Sequence, residues 1–431
     1  MTGLFDDLRW RGRIAHSTDP AALKGDLDGG QIRFYVGFDP SAPSLHMGNL
    51  LQLIVARRLQ TAGHTPYLLV GGSTGLIGDP RQTSERNLNP KAVVDAWVER
   101  IRSQVERFVD FDGPNGGRVV NNYDWTKDVT VLDFLRDVGK HFSVSRMLAR
   151  DVVKNRLESG ISYTEFSYVL LQSFDYAELH RRHGVTLQTG GSDQWGNITA
   201  GAELIRKMTG DRVHALATPL VTKADGTKYG KTAGGAIWLD PAMTSPYAFH
   251  QFFLNAEDDM VIGYVKLFTE RPPEEVAELE RLTREEPHRR AAQRALADDL
   301  TDLVHSPDER LAATRAAAAL FGGGDLRALP AAVLQDMAAE LGVVDLPSLD
   351  GVGVVEALAA AGVVPSKAAA RRAVAEGGAY VNNVRVVSDN QVLTSQDALS
   401  GGYLVLRRGK KTVGLVRLAA VAEEGSLTTA S

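Results

Sequence analysis

The 431-residue sequence contains no cysteine. Disulfides, thiolate metal sites and a cysteine nucleophile are therefore excluded, and the composition suits a reducing compartment, so we expect a cytoplasmic protein. No apolar run reaches the roughly 18 residues that a membrane-spanning helix requires. The stretch from Met1 to Pro20 mixes charged and apolar side chains and lacks the apolar centre of a signal peptide, so no membrane association is expected.

Positive charge is not in excess, because 48 Lys and Arg residues stand against 53 Asp and Glu residues, a net charge of −5. Sequence-blind nucleic-acid binding depends on neutralising many phosphates, so DNA is not an expected partner and any RNA contact must be local. No Gly-x-Gly-x-x-Gly follows the first strand-like run, and no Walker-type loop is present. A dinucleotide-binding enzyme is disfavoured, whereas a mononucleotide site remains open.

The length predicts two or three domains. Up to about residue 220, strand-like apolar runs such as Tyr67 to Val70 alternate with helical patterns such as Ala92 to Phe108. This order predicts an α/β fold with a Rossmann-like parallel-sheet catalytic domain over residues 1–220. From Ser245 to about Leu320 the pattern is almost purely helical. With the loop before it, this part predicts an all-α domain over residues 221–320.

The glycine-rich stretch from Phe321 to Asp325 interrupts the helical pattern, so we predict a linker over residues 321–350 and a small C-terminal module over residues 351–431. Between Pro365 and Leu415, eight positive residues stand against three negative ones, an excess of five. Lys367, Arg371 and Arg372 would share a helix face. A solvated helix face is the plainer interpretation, but on an otherwise acidic protein the pattern favours RNA contact.

The segment Ser44-Leu45-His46-Met47-Gly48-Asn49 follows a strand-like run and precedes a helical pattern that closes at Gly63. His46 and Asn49 are three apart, on the first helical turn. There, unpaired backbone N–H groups and the positive end of the helix dipole attract phosphate. Gly48 leaves room for a base or a ribose against the backbone.

A second segment, Lys228-Tyr229-Gly230-Lys231-Thr232, lies about 180 residues later among several glycines. Its composition is that of a mobile loop that could close Lys228 and Lys231 over a polyphosphate. Alone, a histidine at a helix start is an ordinary cap, and a loop of lysine and glycine is a solvated turn. Together, in this order and on an α/β background, the two segments predict a nucleotide triphosphate site.

These two segments resemble the HIGH and KMSKS signatures of the bacterial tyrosyl-tRNA synthetases, a family of class I. The resemblance covers nearly the whole chain, and the stretch from Ser366 to Asn382 is similar to the S4 RNA-binding domain, a small α+β fold. A homodimer is implied by the resemblance alone. The other matching stretches are Trp10 to Gly12, Gly71 to Pro80, Asn121 to Trp125, and Gly190 to Asn197.

A helical pattern from Phe166 to Leu179 carries a polar stripe, Tyr168, Gln172 and Asp175, at i, i+4 and i+7. Periodicity alone leaves a bound polar ligand and a solvent-facing stripe equally open. The resemblance favours the ligand. It implies that Tyr35 and Asp175 hold the phenolic hydroxyl of tyrosine.

The resemblance also implies the surroundings of the other reacting groups. Asp79, with Tyr168 and Gln172, would surround the α-ammonium of tyrosine. Gln194 would reach the reacting carboxyl group, and Asp193, in the loop opened by Gly190 and Gly191, would reach the ribose. Asp39 would make a further polar contact in the same crevice, with the nucleotide.

The implied reaction is the activation of L-tyrosine with ATP to tyrosyl-adenylate and pyrophosphate, followed by transfer of tyrosine to the 3′ end of tRNA(Tyr). His46, Gly48 and Asn49 would bind the nucleotide. The departing pyrophosphate would be held by Lys228, Lys231 and Thr232, whose charges and hydroxyl would lie where negative charge develops. Mg²⁺ is expected on the phosphates, without a dedicated carboxylate cage in the protein.

Three alternatives remain. A tryptophanyl enzyme shares the nucleotide signatures, but Asp175 opposite Tyr35 disfavours it because indole offers a single donor in another place. A non-catalytic RNA-binding regulator derived from a synthetase is disfavoured by the intact Lys228 and Lys231. A plain nucleotide-binding α/β hydrolase is the weakest alternative.

Three positions depart from the family pattern. Asn49 stands where many members carry a second histidine, but an amide still donates a hydrogen bond, so retained function is expected. Gln52 replaces a smaller residue. The stretch 81–86 is shorter and has fewer lysines than the family loop near the pyrophosphate.

Overall fold

The computed structural model describes residues 3–80, 88–158, 160–232, 235–322, 324–348, 351–409 and 412–418. The chain forms two compact units, one of residues 1–244 and 254–304 and the other of residues 245–253 and 305–431. Among the described residues, no helix is both long enough and apolar enough to span a membrane.

The strands have the following bounds: β1 His16–Ser17, β2 Arg33–Phe38, β3 Thr65–Val70, β4 Arg118–Asn121, β5 Leu187–Gly191, β6 His214–Thr218, β7 Lys231–Thr232, β8 Gly235–Ala236, β9 Val343–Leu346, β10 Ala379–Val381, β11 Val384–Arg385, β12 Tyr403–Arg408 and β13 Thr412–Leu418. The α-helices have the following bounds: α1 Leu4–Trp10, α2 Pro20–Gly29, α3 Met47–Thr61, α4 Thr74–Ile77, α5 Lys91–Val105, α6 Tyr123–Thr126, α7 Val131–Asp133, α8 Val144–Leu148, α9 Asp151–Lys154, α10 Tyr163–His183, α11 Trp195–Thr209, α12 Pro246–Leu254, α13 Asp258–Phe268, α14 Pro273–Glu285, α15 Ala291–Val304, α16 Pro307–Gly322, α17 Ala331–Leu341, α18 Val354–Ala360 and α19 Lys367–Ala375.

The first unit is built on a six-stranded sheet in the order β1-β6-β5-β2-β3-β4. All neighbouring strands are parallel except β1 and β6, which are antiparallel. The predicted α/β class with a parallel sheet is confirmed. Strand β3 is buried along its whole length, as expected for an apolar strand covered by helices on both faces.

The helices that carry the site begin and end where the sequence supplies caps. At the start of α10, the Ser162 hydroxyl accepts a hydrogen bond from the Glu165 N–H at 3.2 Å, and the helix ends at Gly184, whose φ is +63°. Outside the site, helix α14 begins with Pro273 in its first turn, the position where a missing N–H costs nothing.

The second unit contains a five-stranded sheet in the order β11-β10-β12-β13-β9. Successive side chains of β12 point to opposite faces of this sheet. Leu404 and Leu406 belong to the core with α18 and α19, whereas Tyr403 and Val405 belong to the core with α16 and α17. This alternation is the period of two that a strand buried on both faces requires.

The compact units differ from the predicted domain boundaries. Residues 254–304, from the predicted all-α domain, belong to the same unit as the parallel sheet. One reason is Arg13, which is fully buried and donates to the backbone oxygens of Leu267 and Thr269 at 3.0 and 2.9 Å and to the carboxylate of Glu270 at 2.7 Å. Burial lowers the pKa of this guanidinium. A buried charge with several partners cannot be separated from them cheaply.

The predicted linker over residues 321–350 is also more structured than the glycine-rich start suggests. It contains α17 and β9, and β9 pairs in parallel with β13 as the edge of the C-terminal sheet. Leu334 and Met337 of α17 are fully buried in the core shared with that sheet. The segment is structured because its apolar residues have helical spacing, which the prediction of a linker from the neighbouring glycines did not take into account.

Candidate active site

The candidate site lies at the carboxyl ends of the parallel strands. The chain passes from β2 to β3 and β4 on one side and returns to β5 and β6 on the other. A crevice at such a reversal of strand order is the usual ligand site of an open α/β sheet. Asp39 directly follows β2, Gly191 ends β5 and Thr218 ends β6. Sequence positions that are far apart are thus brought to one edge.

His46 and Asn49 begin helix α3 as the sequence predicts. The Nδ1 of His46 accepts a hydrogen bond from the Gly48 N–H at 2.9 Å, and the Oδ1 of Asn49 accepts one from the His46 N–H at 3.1 Å. Because Nδ1 accepts, the neutral imidazole carries its proton on Nε2 and is a donor there. A Cβ on Gly48 would stand 2.7 Å from Cε1 of His46. Glycine at this position therefore makes room for the histidine ring.

The second signature segment lies against the start of α3. The Met47 N–H donates to the Ile237 oxygen at 2.8 Å, and the Ile237 N–H donates to the Gly230 oxygen at 3.0 Å. His46 and Trp238 form an antiparallel bridge, and their ring centroids are 5.9 Å apart. Gly230 has a φ of +92°, and a Cβ on it would stand 2.6 Å from the Cβ of Met47. The two segments are therefore neighbours in space.

Tyr229 anchors the middle of that segment. Its ring is buried and stacks on Tyr264 of α13, with centroids 4.2 Å apart and an interplanar angle of 25°. The Tyr264 hydroxyl donates to the Thr222 oxygen at 2.8 Å, and Thr222 pairs with Lys228 as an isolated bridge. One tyrosine of α13 thus contacts both sides of the turn that precedes Gly230. Lys228 itself is exposed.

Asp175 of α10 is buried among donors. Its carboxylate accepts hydrogen bonds from Nδ2 of Asn122 and Nε1 of Trp125, both at 2.9 Å. Burial raises the pKa of this carboxyl to about 7, against the opposing effect of the two hydrogen bonds. A buried carboxyl group with a strongly raised pKa is typical of a functional site.

Tyr35 and Gln172 each hold an unsatisfied polar atom beside this carboxylate or on its helix. The Tyr35 hydroxyl is buried and, within the described part of the chain, has no hydrogen-bond partner, nor has Oε1 of Gln172. Burial, and then the charge of Asp175, raises the pKa of the Tyr35 phenol. Buried polar atoms are almost always paired, so unpaired ones at a crevice indicate a ligand that supplies the partner.

Tyr168 and Asp39 are directly bonded. The Tyr168 hydroxyl donates to Oδ2 of Asp39 at 2.5 Å, and the Thr74 hydroxyl donates to Oδ1 at 2.6 Å. Burial, followed by the charge of Asp39, raises the pKa of Tyr168. A Cβ on Gly71 would stand 2.1 Å from Oδ1 of Asp39, so this glycine makes room for the carboxylate. Asp39, which the sequence assigns to the nucleotide, lies within hydrogen-bond reach of the tyrosine stripe.

Asp79 and Gln194 are also brought together. Nε2 of Gln194 donates to Oδ2 of Asp79 at 2.8 Å, and Nδ2 of Asn197 donates to Oδ1 at 3.1 Å. Asp193 precedes Gln194 and is exposed. A Cβ on Gly191 would stand 2.5 Å from Oδ1 of Asp193, which explains the need for glycine there.

The sequence motifs contained several site residues to which no role could be assigned. Asn122 and Trp125 lie in the polar stretch after β4, Thr74 follows the glycines after β3, and Asn197 follows Gln194. Polar clusters directly after strands marked these residues as candidates. Their roles were not predictable because their partners are distant in sequence: Thr74 and Asp39 are 35 residues apart, and Asn122 and Asp175 are 53 apart. Gln52, noted as a departure, is buried and donates through Nε2 to the Thr218 hydroxyl at 2.5 Å.

Some predicted residues are not at this crevice or are outside the described residues. Residues 81–86, expected near the pyrophosphate, lie outside them, as do the side chains of Lys231 and Thr232. Lys367, Arg371 and Arg372 are exposed on α19 of the second unit.

Two protein families match the chain. Residues 27–322 match the class I tRNA synthetases described as W and Y, and residues 334–416 match the C-terminal domain of SYY-like tyrosine–tRNA ligases. The first match covers more than half of the chain. The chain therefore belongs to the class I aminoacyl-tRNA synthetases.

Similar proteins narrow this assignment. The chain is 62% identical over 414 residues to a tyrosine–tRNA ligase of Cutibacterium acnes, covering 96% of the chain and 99% of the relative. It is 56% identical over 417 residues to the corresponding protein of Kineococcus radiotolerans, with 96% and 99% covered. A truncated mitochondrial tyrosyl-tRNA synthetase of Aspergillus nidulans superposes with a TM-score of 0.66 at 30% identity, covering 73% of the chain and 93% of that structure. Within its class, the chain is a member of the bacterial tyrosyl-tRNA synthetase family.

Proposed function

We propose that this member of the family activates L-tyrosine with ATP in the crevice at the ends of β2 and β5 and then charges tRNA(Tyr). The observation that carries the proposal is the pairing of a buried carboxylate, Asp175, with the unsatisfied hydroxyl of Tyr35. The phenolic hydroxyl of a bound tyrosine can donate a hydrogen bond to Asp175 and accept one from Tyr35. Phenylalanine would leave the Tyr35 hydroxyl without a partner and would give Asp175 no donor beyond Asn122 and Trp125. An unsatisfied buried polar group costs about 1 to 3 kcal/mol.

The α-ammonium of tyrosine is attracted to carboxylates on the other side of this pocket. Asp39 and Asp79 both lie close enough to Tyr168 to raise the pKa of its hydroxyl. Gln172 has a buried oxygen that an ammonium N–H would satisfy. These groups orient the amino acid so that its carboxylate faces the nucleotide, with Gln194 beside the reacting group.

In the first step, a carboxylate oxygen of tyrosine attacks the α-phosphorus of ATP, and the bond from that phosphorus to the bridging oxygen of pyrophosphate breaks. The carboxylate is already a nucleophile, so no general base is required. Catalysis comes from alignment and from donors where charge develops. His46 and Asn49 donate to the nucleotide at the helix start, where Gly48 leaves space, while Gly191 and Asp193 face the ribose.

Lys228, Lys231 and Thr232 hold the departing pyrophosphate in this proposal. The position of their backbone supports this assignment. Gly230 lies against Met47, so the residues beside Gly230 are close to the start of α3. In the second step, a hydroxyl of the terminal ribose of tRNA attacks the carbonyl carbon of the adenylate and AMP leaves.

Mg²⁺ accompanies the nucleotide in this proposal and neutralises phosphate charge. Among the described residues, no group of three or more histidine, aspartate or glutamate side chains could hold a metal ion. The phosphates themselves and water are therefore the expected ligands, as is usual for nucleotide-bound Mg²⁺.

The tRNA contact is assigned to an S4-like function of the second unit. Lys367, Arg371 and Arg372 are exposed on one short helix. Lys367 pairs with Glu356 at 2.5 Å, and Arg371 is 3.9 Å from Asp389. Exposed pairs of this kind contribute little to stability, so the cations remain available to RNA phosphates.

We also propose a cytoplasmic homodimer. Large apolar side chains of the first unit are exposed close together in sequence, between residues 131 and 163: Val131 (73%), Leu132 (79%), Val144 (62%), Leu157 (50%) and Tyr163 (69%). Such a concentration is typical of a surface that a partner covers. A second copy of the chain is the proposed partner, and sedimentation of the purified protein would test it.

The proposed activity is tested by exchange of labelled pyrophosphate into ATP. We expect exchange that depends on tyrosine and is weaker with phenylalanine or tryptophan by about 5- to 150-fold. Exchange driven best by tryptophan would replace the proposal with the tryptophanyl alternative. Absence of exchange with any amino acid would favour the non-catalytic RNA-binding alternative.

A further inference from the structure

Arg150 lies between the tyrosine site and a separate cavity. The cavity has a volume of about 400 Å³ and is lined by Arg150 together with Arg146, Glu203 and Lys207. Unlike Arg146, which is exposed, Arg150 is partly buried. Burial lowers the pKa of its guanidinium, and the charge of Asp79 opposes that effect. Arg150 is therefore within electrostatic reach of a residue of the tyrosine site.

A continuous chain of hydrogen bonds runs from Arg150 into the site. Nη2 of Arg150 donates to Oδ1 of Asn197. On its other side, Nδ2 of Asn197 donates to Oδ1 of Asp79 at 3.1 Å and to Oε1 of Gln194 at 2.9 Å. Asn197 is buried, at 2% exposure, so water cannot easily replace these partners.

The direction of these bonds depends on the orientation of one amide. Asn197 has an oxygen that only accepts and a nitrogen that only donates. With the guanidinium on the oxygen side, the nitrogen must face Asp79 and Gln194. If the amide turned over, its oxygen would face the carboxylate of Asp79 and the oxygen of Gln194, and three acceptors would meet without a proton between them.

We propose that Arg150 is a positioning residue for tyrosine binding, which fixes the amide of Asn197 and through it the paired side chains of Asp79 and Gln194. This inference rests on the proposed function of those two residues. Oδ2 of Asp79 accepts a hydrogen bond from Gln194, and Oδ1 accepts one from Asn197. Its carboxylate plane is thereby set, and the plane determines how it meets an ammonium.

The test compares three variants in tyrosine-dependent pyrophosphate exchange without tRNA. Arg150→Met removes the donor but keeps an unbranched chain, and we expect it to raise the KM for tyrosine about tenfold with a smaller change in kcat. Arg150→Lys keeps a donor and should stay within about threefold of the wild type. Arg146→Met, on the same cavity wall, should leave both constants unchanged.

A double variant separates positioning from general stability. If Arg150 acts through Asn197, Arg150→Met combined with Asn197→Ala should be no worse than Asn197→Ala alone. A KM for Arg150→Met within twofold of the wild type would overturn the inference, as would additive losses in the double variant. If the wild type itself showed no tyrosine-dependent exchange, the proposed function would fail instead.

Discussion

Gly230 lies against Met47, so that a Cβ on the glycine would stand 2.6 Å from the Cβ of the methionine. The contact joins two segments that are about 180 residues apart in the sequence and places the residues beside Gly230 at the start of helix α3. Gly230 is buried, and its φ of +92° lies in the region that favours glycine. Proximity of the two signatures is thus a property of the backbone.

Replacing Gly230 by alanine should slow adenylate formation. The added methyl group meets Met47 and strains the backbone, so we expect pyrophosphate exchange to fall at least about tenfold, while the equilibrium constant for tyrosine binding stays unchanged. Gly226→Ala is the matched control, because Gly226 also has a positive φ, +81°, but has no atom within 4 Å of the added Cβ. Equal losses in both variants would assign the effect to backbone strain alone.

Tyrosine affinity should depend on pH through Asp175. Its pKa is raised to about 7, so in the free protein the carboxyl takes up a proton as the pH falls through 7. Tyrosine donates to the ionised form, and affinity should therefore fall by up to about tenfold per pH unit below that value. Calorimetric titration between pH 5.5 and 8.5 measures this. Asp175→Asn should bind tyrosine more weakly, without that dependence, and an unchanged slope in this variant would assign the titration to another group.

The raised pKa of Asp175 also makes the free energy of unfolding depend on pH. The pKa of Asp175 is higher in the folded chain than its ordinary value of 3.8, so the folded state holds the proton more tightly. The contribution of this group to the free energy of unfolding is therefore full below about pH 4 and is lost as the pH rises to 7. Comparison of the wild type with Asp175→Asn separates this contribution from those of the other carboxylates.

Tyr264→Phe tests how the second signature segment is anchored. The variant keeps the stacked ring on Tyr229 but loses the hydrogen bond to the Thr222 oxygen. A buried hydrogen bond contributes about 0.5 to 1.5 kcal/mol, so we expect exchange to slow about three- to tenfold with normal tyrosine binding. Tyr247→Phe, at another buried tyrosine, is the control. Equal rates for wild type and Tyr264→Phe would mean that the ring alone holds the segment.

The double variant Arg371→Ala/Arg372→Ala tests the tRNA contact. We expect pyrophosphate exchange to be unaffected, tRNA charging to weaken about tenfold, and the salt dependence of tRNA binding to lose about one ion per phosphate contact. Arg281→Ala/Arg284→Ala removes a partly exposed and an exposed arginine from α14 of the first unit and serves as the control. Undiminished charging by the α19 variant would remove that helix from the RNA contact.

Local pattern was sufficient for much of the fold. The strand-like run before Asp39, the helix that starts at His46 and the long helix that carries Tyr168 and Asp175 were predicted, because apolar periodicity and capping are written in neighbouring residues. The domain boundaries were less accessible. Buried Arg13 and the apolar residues of α17 determine them through partners distant in sequence.

In the site, too, local sequence patterns predicted candidate residues but not their contacts. Polar residues after strands could be selected as candidates, but the stack of Tyr229 on Tyr264 and the donors of Asn122 and Trp125 to Asp175 are long-range contacts. No periodicity encodes such pairs. The orientation of the Asn197 amide is harder still to predict from the sequence, because it depends on two distant residues, Arg150 and Asp79.

The measurement that bears most directly on the shared nucleotide site is single-turnover formation of tyrosyl-adenylate by Lys231→Ala, beside equilibrium binding of tyrosine to the same variant. If the residues around Gly230 act on the nucleotide bound at His46, adenylate formation should fall about 100-fold or more while the dissociation constant for tyrosine stays within twofold of the wild type. Adenylate formation at the wild-type rate would contradict the account.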